Sequence, residues 1–158
     1  MVSILKRILR LYAIHIFACL AVAVSIYFPS LDVALTLLYF VVIGVEAGMY
    51  GHESWPSSIL TAIIWQLPGL ILSLISIAPA GTWGAANYGF FVLQFWYTPL
   101  VPVFSCLSGV TILGKPLYYY LLLAAPAIML FYYYLLVMVS RRTRLDLTAN
   151  EIIKSQRT

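Results

Sequence analysis

Long apolar runs separated by short polar or proline-bearing breaks organise the whole chain. A basic head, Met1 to Arg10, leads into a first run from Leu11 to Phe28, which stops at Pro29-Ser30-Leu31-Asp32. Asp32 is placed to cap a helix predicted from Val33 to about Tyr50. The loop Gly51-His52-Glu53-Ser54 and the pair Trp55-Pro56 introduce a third run, Ile59 to about Ala78, with Gln66 and Pro68-Gly69 in its middle. Proline removes an internal helix hydrogen bond, so a kink is expected there. A glycine-rich loop, Pro79 to Asn87, precedes Tyr88 to Leu113, which Thr98-Pro99, Pro102 and Ser108-Gly109 interrupt. The last run, Leu117 to Val139, carries tyrosine triplets at 118–120 and 132–134. Along a helix these lie about 21 Å apart, a spacing that suits aromatic belts at two membrane interfaces.

Composition narrows this pattern to one class. The chain has 158 residues, 63% of them hydrophobic and only 9% charged, against about 25% charged in ordinary soluble domains. From Ser54 to Gly114 there is no Asp, Glu, Lys, Arg or His. The expected fold is an all-α integral membrane domain over residues 1–140, followed by a basic cytoplasmic tail, 141–158. Thr148 and Glu151 form a capping-box pattern there, which predicts a short helix over 150–156.

The net charge of +4 gathers at the two ends, in Lys6, Arg7 and Arg10 and then Arg141, Arg142, Arg144, Lys154 and Arg157. Such clusters beside apolar spans follow the positive-inside rule and attract anionic lipid heads; they are not read as nucleic-acid binding. Five apolar runs would leave the termini on opposite sides, whereas both basic ends favour the cytoplasm. The expectation is therefore four full transmembrane helices plus one proline-broken, re-entrant segment, Tyr88 to Leu113, with five full spans as the alternative.

Few residues offer chemistry. Glu46 lies inside an apolar run, where a charge costs roughly 2.5–3.5 kcal/mol on insertion scales and normally faces protein or water. His15 is expected at a similar depth on the first span, with Gln66 beside them. Such a cluster either clasps the helices or holds a cationic ligand or proton. Gly44 and Gly48 flank Glu46 and leave a groove for close helix approach. In the broken segment, Gln94, Pro99 and Pro102 mark a place where a discontinuous helix could frame a site. His52-Glu53 reads as a solvated loop or a docking point, and Cys19 and Cys106 as free thiols with no metal-ligand spacing. No catalytic motif is present, so neither an enzyme nor a cofactor is expected. The first run lacks a cleavage site and is expected to stay as an anchor.

In size and hydropathy this layout is similar to small bacterial membrane subunits, the rod shape-determining membrane subunit and the substrate-binding components of energy-coupling vitamin transporters. No motif of either is matched, so no residue role is carried over. The functional expectation is an accessory or scaffold subunit of a larger membrane complex, with other membrane subunits, further copies of itself and lipid as partners. The alternative is a transport subunit for a small solute or ion. A bacterial cytoplasmic membrane with both termini inside is the expected location.

Overall fold

A computed structural model of the chain describes residues 2–25, 27–28, 30–50, 54–77 and 83–155. Six helices and a small hairpin follow in order: α1 (Val2–Ser25), α2 (Leu31–Met49), α3 (Trp55–Ile77), α4 (Trp83–Trp96), α5 (Val101–Ser105), β1 (Thr111–Ile112), β2 (Lys115–Pro116) and α6 (Leu117–Ser155). Four of them are long and apolar enough to cross a membrane: α1, α2, α3 and the stretch Leu117–Thr143 of α6. Their outward faces are apolar, with Phe17, Val24, Leu74 and Phe131 among the exposed side chains. That surface suits lipid.

Hydrogen bonds between helices fix their directions. Arg10 reaches Glu46 and His15 reaches Tyr39, so α1 and α2 run antiparallel. Tyr132 donates to the carbonyl of Phe40 and Ser140 to that of Gly48, the same offset twice, so α2 and α6 run parallel. Tyr97 meets Gln66 while Gly89 lies against Ile75, so α4 runs back along the second half of α3. Where these helices converge, the core is formed by Leu11, Ile43, Trp65, Leu93, Leu122 and Met129, all fully buried.

Several helix boundaries fall elsewhere than the sequence pattern places them: α1 begins at Val2, within the basic head, and α4 at Trp83, within the expected glycine-rich loop. Helix α2 begins at Leu31, with Ser30 at the N-cap in a left-handed conformation (φ 74°). Asp32 therefore sits in the first turn, where its Oδ1 accepts the Val33 amide at 2.8 Å and its negative charge complements the positive end of the helix dipole. Helix α6 continues unbroken for 39 residues to Ser155, so residues 150–155 of the predicted tail helix belong to it, and Gln156 lies outside the described residues.

Prolines shape the middle of the chain. Pro68 lies inside α3 and cannot donate to the carbonyl of Ile64 one turn earlier. Helix α4 stops at Trp96, since Pro99 disfavours helical geometry at Thr98. After a turn over 97–100, α5 restarts with Pro102 in its first turn, where a missing N–H costs nothing. At 14 residues, α4 is about 21 Å long, short of a hydrocarbon core of about 30 Å. The β1–β2 turn is Leu113-Gly114, with φ of 49° and 76°. Both angles are positive, as a two-residue hairpin turn of the primed type requires.

Candidate functional site

The polar residues of the interior cluster around the end of α4. Helix α1 presents Tyr12, His15 and Cys19 on one face, spaced three and four residues apart. Tyr12 donates at 2.7 Å to the Ile64 carbonyl, the group that Pro68 leaves without a helical partner. His15 Nε2 lies 2.9 Å from the carbonyl of Trp96, and Cys19 Sγ approaches the same oxygen at 3.4 Å. The amide of Leu100, which would serve Trp96 in a continuing helix, bonds Tyr97 instead. One stripe on α1 thus serves carbonyls that two proline-linked interruptions release. A backbone group left bare in hydrocarbon costs several kcal/mol, which explains polar residues at this depth.

His15 is 1% exposed. Since a carbonyl only accepts, Nε2 carries the hydrogen. Nδ1 lies 2.8 Å from the hydroxyl of Tyr39. Four aromatic rings surround the imidazole, Tyr39, Trp65, Trp96 and Tyr97, with centroids between 4.7 and 6.3 Å away. Next to it, Tyr97 donates to Gln66 Oε1 at 2.6 Å. Gln66 Nε2 and Trp65 Nε1 are buried donors without partners.

Glu46 belongs to a second cluster, and the expected meeting of His15 with Glu46 does not occur. Glu46 Oε2 pairs with Arg10 at 2.8 Å. Arg10 also bonds the Tyr50 hydroxyl at 3.2 Å, Arg7 stacks over the Tyr50 ring at 4.1 Å, and Arg7 bonds the Tyr133 hydroxyl at 2.9 Å. The antiparallel register is the reason: a helix that sets residue 10 against residue 46 sets residue 15 near residue 39, one and a half turns closer to the turn. Counting depth from Arg10 and from Gly51 sets His15 and Glu46 level, but Arg10 pairs with Glu46 itself and Arg7, one turn earlier, is buried, so the two boundaries do not lie at one depth.

The small-residue groove of α2 is filled by this chain's own α6. A Cβ at Gly44 would lie 3.2 Å from the Tyr132 hydroxyl and 3.3 Å from Leu136, whereas one at Gly48 would meet Ser140 at 4.0 Å. Gly69, read from the sequence only as the companion of Pro68 in a kink, is tighter: a Cβ there would collide with the Tyr97 hydroxyl and lie 2.8 Å from its Cζ. Of the interrupted segment, Pro99 is buried, while Gln94 and Pro102 line an open groove of about 480 Å3. His52 and Glu53 lie outside the described residues. Sequence reasoning passed over Tyr12 and Tyr39, and read Arg10 only as part of the basic head. The signal available was the three-and-four spacing of Tyr12, His15 and Cys19 opposite chain breaks at Pro68 and Pro99.

No family model matches the chain, and no curated protein or solved structure matches it either. The side chains and their geometry carry any functional reading.

Proposed function

We propose that the protein is an accessory subunit that works by lateral contact within the membrane. The observation behind this is that, among the described residues, Tyr12, His15 and Cys19 serve the broken backbone and Tyr97 serves Gln66, so these polar groups hold the bundle together. Concave surface is found on the outside. Small residues Ala13, Ala18 and Ala21 of α1 face Leu35, Leu38 and Val42 of α2 across an apolar groove of about 420 Å3. Small residues let a neighbouring helix approach closely.

We read α4, α5 and the hairpin as a re-entrant excursion. Helix α3 runs away from the basic ends and α4 runs back toward them, reaching the level of His15 and Gln66 before it stops. Helix α6 starts on the side where α3 ends, since it runs parallel to α2. The chain between them then enters and leaves on one side, and both basic termini lie on the other, in keeping with the positive-inside rule. A C-terminal reporter is expected inside. In a variant without native cysteines, Lys115→Cys should react with an impermeant maleimide added from outside. A reporter found outside, or a residue 115 shielded from outside and open to the cytoplasm, removes this topology.

The subunit reading is tested by purifying the tagged chain in mild detergent and weighing the assembly. A stoichiometric companion, lost from Ala21→Trp while the bundle still melts normally, is expected. A lone chain of unchanged mass in both forms overturns it. One observation favours transport as a second reading: Glu46 Oε1 is buried without a partner, an acceptor that a cation could use. That reading requires Glu46→Gln to abolish a flux without disturbing assembly.

A further inference from the structure

The 480 Å3 groove beside the interrupted segment lies between α1, the first turn of α2, and α4 with α5. Its polar lining is Asp32, Gln94, Thr98 and Ser105, and Phe91 and Phe95 form an aromatic wall. The two rings are 68% and 67% exposed, and they stand four residues apart on one helix face. Asp32 is the one acidic residue at this end of the bundle among the described residues. There its carboxylate enters no ion pair, and its bond to the Val33 amide leaves further acceptor sites.

The hydroxyls sharpen the chemistry. Thr98 donates to the Phe95 carbonyl at 2.6 Å and Ser105 to the Pro102 carbonyl at 2.8 Å. Each has its single hydrogen engaged in its own helical turn, so each has only lone pairs left to offer. Together with the carboxylate and the Gln94 amide oxygen, these make a groove rich in acceptors, carrying one negative charge and walled by aromatic faces. The complement is a cation with several N–H donors, attracted by the carboxylate and by the rings. A quaternary ammonium lacks those donors.

We propose that this groove seats the primary ammonium head of an aminophospholipid from the surrounding bilayer. The exposed Phe91 and Phe95 give its acyl chain an apolar track out of the groove, and the phosphate stays toward water. A lipid, rather than a soluble amine, is the occupant because the groove opens through those apolar side chains. The inference is independent of whether the α1–α2 face takes a partner.

The test is native mass spectrometry of the full chain in mild detergent, offered equal amounts of dioleoyl phosphatidylethanolamine and dioleoyl phosphatidylcholine. Both lipids are zwitterionic, so the basic termini do not bias the comparison. The ethanolamine lipid is expected to be retained about fivefold more, on the scale of one charge-assisted contact. Asp32→Asn keeps an oxygen for the Val33 amide and so preserves the helix start, and it should bring the ratio close to one. Thr98→Val should lower it about twofold. On the native chain, dodecylamine should displace the bound lipid and dodecyltrimethylammonium should not. Equal retention of the two lipids overturns the proposal and points to a polar helix of a partner chain as the occupant. A preference that survives Asp32→Asn, or equal displacement by the two amines, overturns it as well.

Discussion

At the α3–α4 seam the space over Gly69 is filled by the Tyr97 side chain, whose hydroxyl goes on to Gln66. At the α2–α6 seam a Cβ on Gly48 would meet nothing nearer than Ser140 Oγ, at 4.0 Å. Both seams use glycine between two helices, yet they differ in what glycine does. On α3 it admits an aromatic ring that carries a buried hydrogen bond, so packing and polar satisfaction depend on the same absent methyl. On α2 it lies beside a bond from Ser140 to its own carbonyl, which any residue could accept. A small residue in a membrane helix is indispensable only where something else occupies its volume.

The strongest test of this contrast is Gly69→Ala. The added methyl must displace Tyr97, break its bond to Gln66 and disturb the turn that follows α4. We expect a loss of about 2–4 kcal/mol, combining overpacking with an unpaired buried polar group, read as a fall in the detergent melting temperature. In the double variant with Tyr97→Phe the two losses should not add, because both act on one contact. Additive losses would show that the methyl acts elsewhere.

His15→Ala follows in size. It leaves the Trp96 carbonyl with only the weak thiol of Cys19 and removes the partner of Tyr39, a loss of about 2–3 kcal/mol. Hydrogen exchange should rise first at the 97–100 turn. Unchanged exchange there would mean that His15 does not hold the end of α4.

Arg10→Ala ranks third. Its side chain is 53% exposed while Glu46 is 2% exposed, so water can partly replace it. A loss of about 1–2 kcal/mol is expected, and Glu46→Gln in the same background should recover part of it by removing the unpaired charge. No recovery would place the cost in lost packing of the arginine stem rather than in the charge.

Gly48→Ala should be the smallest and opposite in sign. The site has room, and alanine favours helix over glycine, so a gain of up to about 0.5–1 kcal/mol is expected. A loss comparable with that of Gly69→Ala would erase the distinction between the seams.

Much of the architecture follows from the linear order of residues. The apolar runs, the absence of charge from Ser54 to Gly114 and the prolines at 68, 99 and 102 define four membrane-length helices. The helices themselves follow from local chemistry, although α1, α2 and α4 begin elsewhere than the pattern places them. A helix in lipid must satisfy its own backbone, so length and hydropathy suffice to find it. The special roles of Pro68 and Pro99 are legible too, since each breaks a hydrogen bond that neighbours cannot ignore.

What meets what was decided only by tertiary structure. His15 and Glu46 are the two titratable residues a reader would pair, and the α1–α2 register separates them by placing Arg10 opposite Glu46 and Tyr39 opposite His15. Gly44 and Gly48 announce a groove, but only the parallel course of α6 decides that this chain fills it. Gly69 looked like the companion of a proline kink and is in fact the seat of Tyr97. Helix formation in a membrane is a local matter of backbone satisfaction. Pairing depends on the rotation and register of whole helices, which shift every contact together and leave no trace in any single stretch of sequence.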